Sequence, residues 1–218
     1  MFIGHYGLSY IVKKERREIP LWLLFTSVQL LDLVAFTLVF FGIENASYAP
    51  SENPFFRNQL FLPYSHSLSG AILISAAVFM IFWLNKNKSW AWILSLCVLS
   101  HWFIDLVVHT NDLSIFFGSI NVGLGLWNYP YVAYATEILF LLIGWLLLKK
   151  RNVVSVVLLL LLIGGFSEML FGKEPEAMKH SASLRSMAVL ISNCLFILIA
   201  YFSEGKTERN RLFMKTNS

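Results

Sequence analysis

The residues of this chain that could do chemistry are a few histidines and acids standing inside long apolar runs. Residues 100–112 read Ser-His-Trp-Phe-Ile-Asp-Leu-Val-Val-His-Thr-Asn-Asp and carry His101, Asp105, His109 and Asp112. On a helix turning about 100° per residue, the offsets of four, eight and eleven place Asp105, His109 and Asp112 within about 80° of His101. The opposite face is wholly apolar, as packing or lipid contact requires. Elsewhere Asp32, with Gln29 one turn earlier, and Glu137 stand in other apolar runs; His66 opens another, and His5 lies near the start. An ionisable side chain in hydrocarbon costs about 2.5–3.5 kcal/mol on insertion scales, so each needs a partner or a purpose. A histidine and a carboxylate at i and i+4, as at His101 and Asp105, can grip one cation from one side. Imidazole with carboxylate and no nearby thiolate suits Zn²⁺, Mn²⁺ or Fe²⁺, with zinc the first choice. The histidines argue against a pure Mg²⁺ or Ca²⁺ site. Such ions polarise phosphoryl or carbonyl oxygens and generate hydroxide from bound water, which is hydrolase chemistry.

Blander readings compete residue by residue. A single intramembrane Asp or His is usually an interhelical hydrogen bond. Several histidines and three carboxylates at one depth are a poor choice of packing glue, for which Ser, Thr and Asn cost less. Pro63-Tyr64-Ser65-His66-Ser67 also reads as a helix start capped by Ser65 or Ser67, so His66 is a ligand or part of a cap. His180, in a polar loop with Lys173, Glu176 and Lys179, reads as solvated, and Glu168 either lines the pocket or meets lipid headgroups. Cys97 and Cys194 have no CxxC or Cys/His partner and read as packing residues.

The elements that must position these groups follow from composition. Of 218 residues, 57% are hydrophobic and 14% charged, a balance unsuited to a soluble fold. Apolar runs at 21–42, 63–84, 90–108, 131–148, 153–171 and 184–202 each reach about the 18 residues that cross a bilayer. The expected fold is therefore an all-α integral membrane protein of about six spanning helices in a single domain, residues 1–205, followed by a polar cytoplasmic tail, 206–218. Runs of this length are too long for barrel strands, and the first is too long for a cleaved signal peptide. Lys and Arg cluster before the first run and after the second, fourth and sixth. That alternation places these segments and both termini in the cytoplasm and the loops 43–62, 110–130 and 172–183 outside. The net charge of +4 reflects this topology and some affinity for anionic headgroups, rather than nucleic-acid binding.

Depth along the helices gives an independent expectation. At 1.5 Å per residue from the cytoplasmic ends, Asp32 lies about 18 Å up, His101 about 16 Å and Glu137 about 16 Å. Asp105, His109 and His66 lie at about 22–28 Å, which describes a pocket opening to the outer side with Trp102, Trp127 and Tyr129 at its mouth. Residues 2–12 are too few to span, but as a re-entrant half-helix they lift His5 about 12 Å above Lys13, close to Asp32.

Gly4-His5-Tyr6, the stretch Gln29 to Asp32, Pro63-Tyr64-Ser65-His66-Ser67-Leu68, residues 100–113, and Gly123-Leu124-Gly125-Leu126-Trp127-Asn128 followed by Glu137 together carry a resemblance. They resemble the YdjM-like family of bacterial membrane-bound metal-dependent hydrolases, over roughly the first two thirds of the chain. The last two apolar runs carry none of it, and Asn111-Asp112-Leu113-Ser114 departs from the expected Pro-Asp-Leu-Pro while keeping Asp112. The ligand order is also similar to that of the helical zinc-dependent phospholipase C and nuclease families. That likeness implies that Asp32, His66, His101 and Asp105 hold one metal, that Asp105 bridges to another near His5, and that His109 with Glu137 holds a third. Ala133 stands where those families place a histidine four before the glutamate, which lowers the expected count to one or two ions.

The resemblance implies a bacterial inner-membrane hydrolase of a lipid or lipid-linked phosphoester. Asp32 and Asp105 are the catalytic candidates, Asp32 as ligand or general base. His5, Asp32, His66, His101, Asp105, His109 and Glu137 are the metal candidates, with Asp112, Gln29, Trp127 and Asn128 in supporting positions. The competing reading is a transporter or permease that uses the same acids and histidines as an ion or proton pathway. Against it stands the lack of a detectable repeat or of paired Gly/Pro-broken helices.

Overall fold

The apolar runs become helices because each can satisfy its backbone internally, and polar side chains cap the start of four of them. In the computed structural model, which describes residues 2–173 and 175–204, the elements are α1 (Gly4–Glu15), α2 (Leu21–Val28), α3 (Leu30–Phe40), β1 (Asn45–Tyr48), β2 (Asn58–Phe61), α4 (Leu68–Leu84), α5 (Lys88–Val108), β3 (Leu113–Phe116), β4 (Ser119–Val122), α6 (Pro130–Leu147), α7 (Val153–Phe171), α8 (Glu176–Lys179) and α9 (Ala182–Ser203). Ser67, Asn87, Asn152 and Ser181 cap α4, α5, α7 and α9 by accepting a backbone N–H of the first turn. Pro130 opens α6, where its missing N–H costs nothing.

Helix accounts for 68% of the described residues. Four helices, α5, α6, α7 and α9, are individually long and apolar enough to cross a membrane. The expected six continuous spans differ in two places. The first run is broken at Gln29 into α2 and α3, which meet at 56°, and α4 has only 17 residues because the chain from Pro63 to Ser67 is not helical. The all-α expectation also needs correcting in the loops. Residues 43–62 and 110–130 each form a two-stranded antiparallel hairpin, pairing Asn45 with Phe61 and Leu113 with Val122 at their open ends. Backbone outside the bundle needs partners of its own, and pairing strand to strand supplies them. The anticipated polar tail at 206–218 lies outside the described residues.

The short N-terminal helix is an internal element. On α1, His5, Ser9 and Tyr10 are fully buried and Tyr6 nearly so. It packs against α6 and α2 and touches α5. Its approach to α6 depends on two glycines: a Cβ on Gly144 would lie 2.3 Å from the Gly7 carbonyl oxygen, and one on Gly7 would lie 2.6 Å from that of Phe140. Backbone meets backbone at this crossing, so no side chain can yield. α4 pairs with α5 along its length, and α9 packs on α2, α3 and α7.

Gly144→Ala should therefore force the crossing apart and cost about 1–3 kcal/mol of stability. Gly164→Ala, where a Cβ meets open space, should be neutral or slightly stabilising, since alanine is the better helix former. Thermal unfolding of the two variants in detergent checks the contrast.

Candidate metal centre

Three helices and one loop deliver the ionisable residues to one buried place. On α5, one turn separates His101 from Asp105, and His101 Nε2 lies 3.2 Å from Asp105 Oδ2. From α3, Asp32 Oδ1 lies 3.7 Å from His101 Nε2 and 3.1 Å from His66 Nε2, which comes from the loop before α4. From α1, His5 Nε2 lies 3.1 Å from Asp105 Oδ1, and its ring stacks on that of His101 with centroids 3.7 Å apart. Two triads result, His5–His101–Asp105 and Asp32–His66–His101, each with its potential ligand atoms within 4.8 Å of one another. They share His101. His109 stands at the edge, with Nε2 3.9 Å from Asp105 Oδ2.

The partners on the far side of the imidazoles decide what they offer to the centre. His101 Nδ1 lies 2.6 Å from the Val28 carbonyl oxygen, which can only accept, so Nδ1 carries a proton and Nε2 is the nitrogen that faces inward. The break at Gln29 puts that carbonyl where a helix turn ends. His109 Nδ1 lies 3.2 Å from Asp112 Oδ1, which fixes the same tautomer. His66 Nδ1 lies 3.1 Å from Ser65 Oγ, whose hydroxyl donates to Glu44 Oε2 at 2.6 Å, so Ser65 accepts from His66. Three histidines thus turn Nε2 toward carboxylates, a contact that is favourable when a cation lies between them or when Nε2 itself carries a proton. Acceptors that hold the outer nitrogen are characteristic of metal-binding histidines. His101 Nε2 and His5 Nδ1 are buried without a hydrogen-bond partner. Carboxylate oxygens, imidazoles and orphaned buried nitrogens together make a set that could hold a metal ion.

The remaining sequence candidates fall around this centre in different ways. Glu137, fully buried on α6, accepts at Oε2 from the backbone N–H groups of Phe2 and Ile3 at 2.7 and 2.9 Å and caps α1; it belongs to neither triad. Gln29 donates to Asn193 Oδ1 on α9, which also accepts from Tyr6. Asp112 is half-exposed; burial raises its carboxyl, but hydrogen bonds with His109 and Thr110 outweigh that and hold it below the usual carboxylate range. Trp127 packs on His109 with ring centroids 4.1 Å apart, and Asn128 is exposed beside Gly125. Trp102 and Trp127 are 4% and 6% exposed, so of the three aromatics expected at the mouth only Tyr129 is open. The Trp102 indole instead donates to the Ser114 carbonyl under the second hairpin, and Trp127 stacks on Phe2 and Phe55. Glu168 and His180 are exposed.

A glycine strap closes the end of α5. The N–H groups of Leu124 and Gly125 donate to the carbonyls of Leu106 and His109, and a Cβ on Gly123 would lie 1.5 Å from the Thr110 carbonyl oxygen. Between the two hairpins, a pocket of about 40 Å³ reaches His66, His109 and Asp112, room enough for water. Sequence reasoning missed Glu44, Ser65 as a partner of His66, and Asn193. Glu44 and Asn193 sit far from any motif, and only a buried position reveals them. Comparison with known proteins finds no matching family model, curated protein or solved structure.

Removing the Glu137 carboxylate leaves buried N–H groups without an acceptor, at about 1–3 kcal/mol. Glu137→Ala should lose hydrogen-exchange protection first over residues 2–8, ahead of α5 and α7. Uniform loss across the bundle would speak against its capping role.

Proposed function

We propose that this chain is a multi-pass membrane hydrolase of the YdjM-like type, one that uses a divalent metal, zinc first, to cleave a lipid or lipid-linked phosphoester at the outer leaflet of a bacterial inner membrane. One observation carries the reading: histidine nitrogens and carboxylate oxygens form two triads sharing His101, each with its atoms within 4.8 Å of one another, with the outer nitrogens of His66, His101 and His109 already committed. The broken pair α2–α3 would supply one span and α4 a short sixth beside the four longer helices.

In this reading Asp32, His66, His101 and Asp105 hold a first ion, and His5 with Asp105 allows a second. A bound ion of this kind polarises a phosphoryl oxygen and lowers the pKa of coordinated water to about 7. The chain's own residues do the rest. Asp32 is the more open of the two central carboxylates, at 17% side-chain exposure against 2% for Asp105, so its oxygen is the one placed to take a proton from water. Asp105, sealed between His5 and His101, stays a fixed anion that aligns both rings. His66 and His109 border the small pocket between the hairpins, where a headgroup would meet the centre while its tails remain in lipid.

The transport reading gains one observation, the helix break beside the site, since discontinuous helices line many transporter sites. Here the Val28 carbonyl at that break is engaged by His101, which favours a built ligand over a permeation path.

Detergent-purified protein should carry zinc or a similar ion and hydrolyse a phospholipid or a lipid-linked phosphoester in mixed micelles. His101→Ala and Asp105→Ala should each lose metal and turnover together. Wild-type metal levels in both variants, or flux of metal or protons into proteoliposomes without hydrolysis, would overturn the proposal.

A further inference from the structure

Glu44 lies in the loop after α3, 3% exposed, with no place in any motif. Its Oε1 accepts from the backbone N–H groups of Tyr64 and Ser65 at 2.8 and 2.9 Å, and its Oε2 accepts from Ser65 Oγ at 2.6 Å. All three donors belong to the two residues just before His66. A hydroxyl has one proton, and Ser65 gives its proton to Glu44, so toward His66 Nδ1, 3.1 Å away, it can only accept. We infer that Glu44 is a positioning residue that sets the tautomer of His66 through Ser65, keeping Nδ1 protonated and Nε2 aimed at Asp32. It reaches the centre from two residues away without touching it.

The direction of the chain follows from the chemistry of its ends. A carboxylate has no proton to give, so the polarity runs one way, from His66 to Ser65 to Glu44. Replacing Glu44 with glutamine reverses it. The two backbone N–H groups need the amide oxygen at the Oε1 position, which leaves the NH₂ group facing Ser65 Oγ. Ser65 must then accept from the amide and turn its own proton toward His66 Nδ1. His66 would carry its proton on Nε2, donate to Asp32 Oδ1, now 3.1 Å away, and cease to offer a lone pair.

This inference rests on the metal-centre reading for its consequence but not for its mechanism, and two measurements separate them. The first is ¹⁵N NMR of histidine-labelled, metal-free protein in micelles, with the His66 signals assigned by their loss in His66→Gln. Wild type and Ser65→Thr, which keeps the hydroxyl, should show His66 protonated at Nδ1, whether or not Asp32 draws a second proton onto Nε2, and Glu44→Gln should show Nδ1 unprotonated with the proton on Nε2. The second is equilibrium zinc affinity, which should fall about 10–100-fold in Glu44→Gln, the usual effect of losing a partner behind a metal ligand, and stay near wild type in Ser65→Thr. Should Glu44→Gln fail to fold, Ser65→Ala serves instead, since Glu44 keeps its backbone contacts there. It should give a mixture of His66 tautomers and weaker zinc binding. Retention of the Nδ1–H form in Glu44→Gln, or in Ser65→Ala where that variant stands in, overturns the inference. Absence of zinc binding by the wild type would refute the metal reading, while the tautomer measurement alone would still decide the role of Glu44.

Discussion

The structure depends on how a buried cluster of carboxylates and imidazoles is neutralised. Around His101 an apolar bundle brings two carboxylates and several imidazole nitrogens into two overlapping triads, each within 4.8 Å, and the outer nitrogens of three rings are held by other acceptors. Val28, Ser65 and Asp112 take the Nδ1 protons of His101, His66 and His109, which leaves the Nε2 atoms facing the carboxylate oxygens. In water such groups would be screened and solvated. In a buried site they need positive charge, from a bound cation or from a second proton on the rings, and acceptors placed behind the imidazoles suit a bound cation.

The scaffold serves this arrangement through features that would otherwise look like defects. A continuous first span would keep the Val28 carbonyl inside its own helix ladder; the 56° break frees it for His101. The Gly7–Gly144 crossing lets α1 enter the bundle deeply enough to stack His5 on His101. The Gly123–Gly125 strap ties off α5 at His109, where an ordinary side chain would collide with the turn it covers. The hairpins and the loop at Glu44 hold His66 from outside.

Much of this could be read from residues alone, because two strong physical signals lie in the sequence. Hydrophobic run length marks helices, and the i, i+4 spacing of His101 and Asp105 within such a run marks a shared face. Depth counting joined Asp32 and His101 across separate helices, and the half-helix argument brought His5 to the same level. What escaped depends on backbone detail that run length does not encode. Residues 21–42 stay apolar on average despite Gln29 and Asp32, and their mean hydropathy does not mark the bend at Gln29. Glu137 matched the expected depth, yet its carboxylate caps α1, because depth fixes height and leaves direction open. The strands carry little alternation in four residues each, too short a stretch for a period of two to stand out.

The account stands on a cation bound by imidazole and carboxylate, and zinc K-edge X-ray absorption on the purified, zinc-loaded protein tests this most directly. It predicts a first shell of nitrogen and oxygen alone at about 2.0–2.2 Å, with outer-shell scattering from two or more imidazoles that drops by one ring in His66→Gln. A sulfur shell near about 2.3 Å, or a spectrum indistinguishable from hydrated zinc, would contradict it.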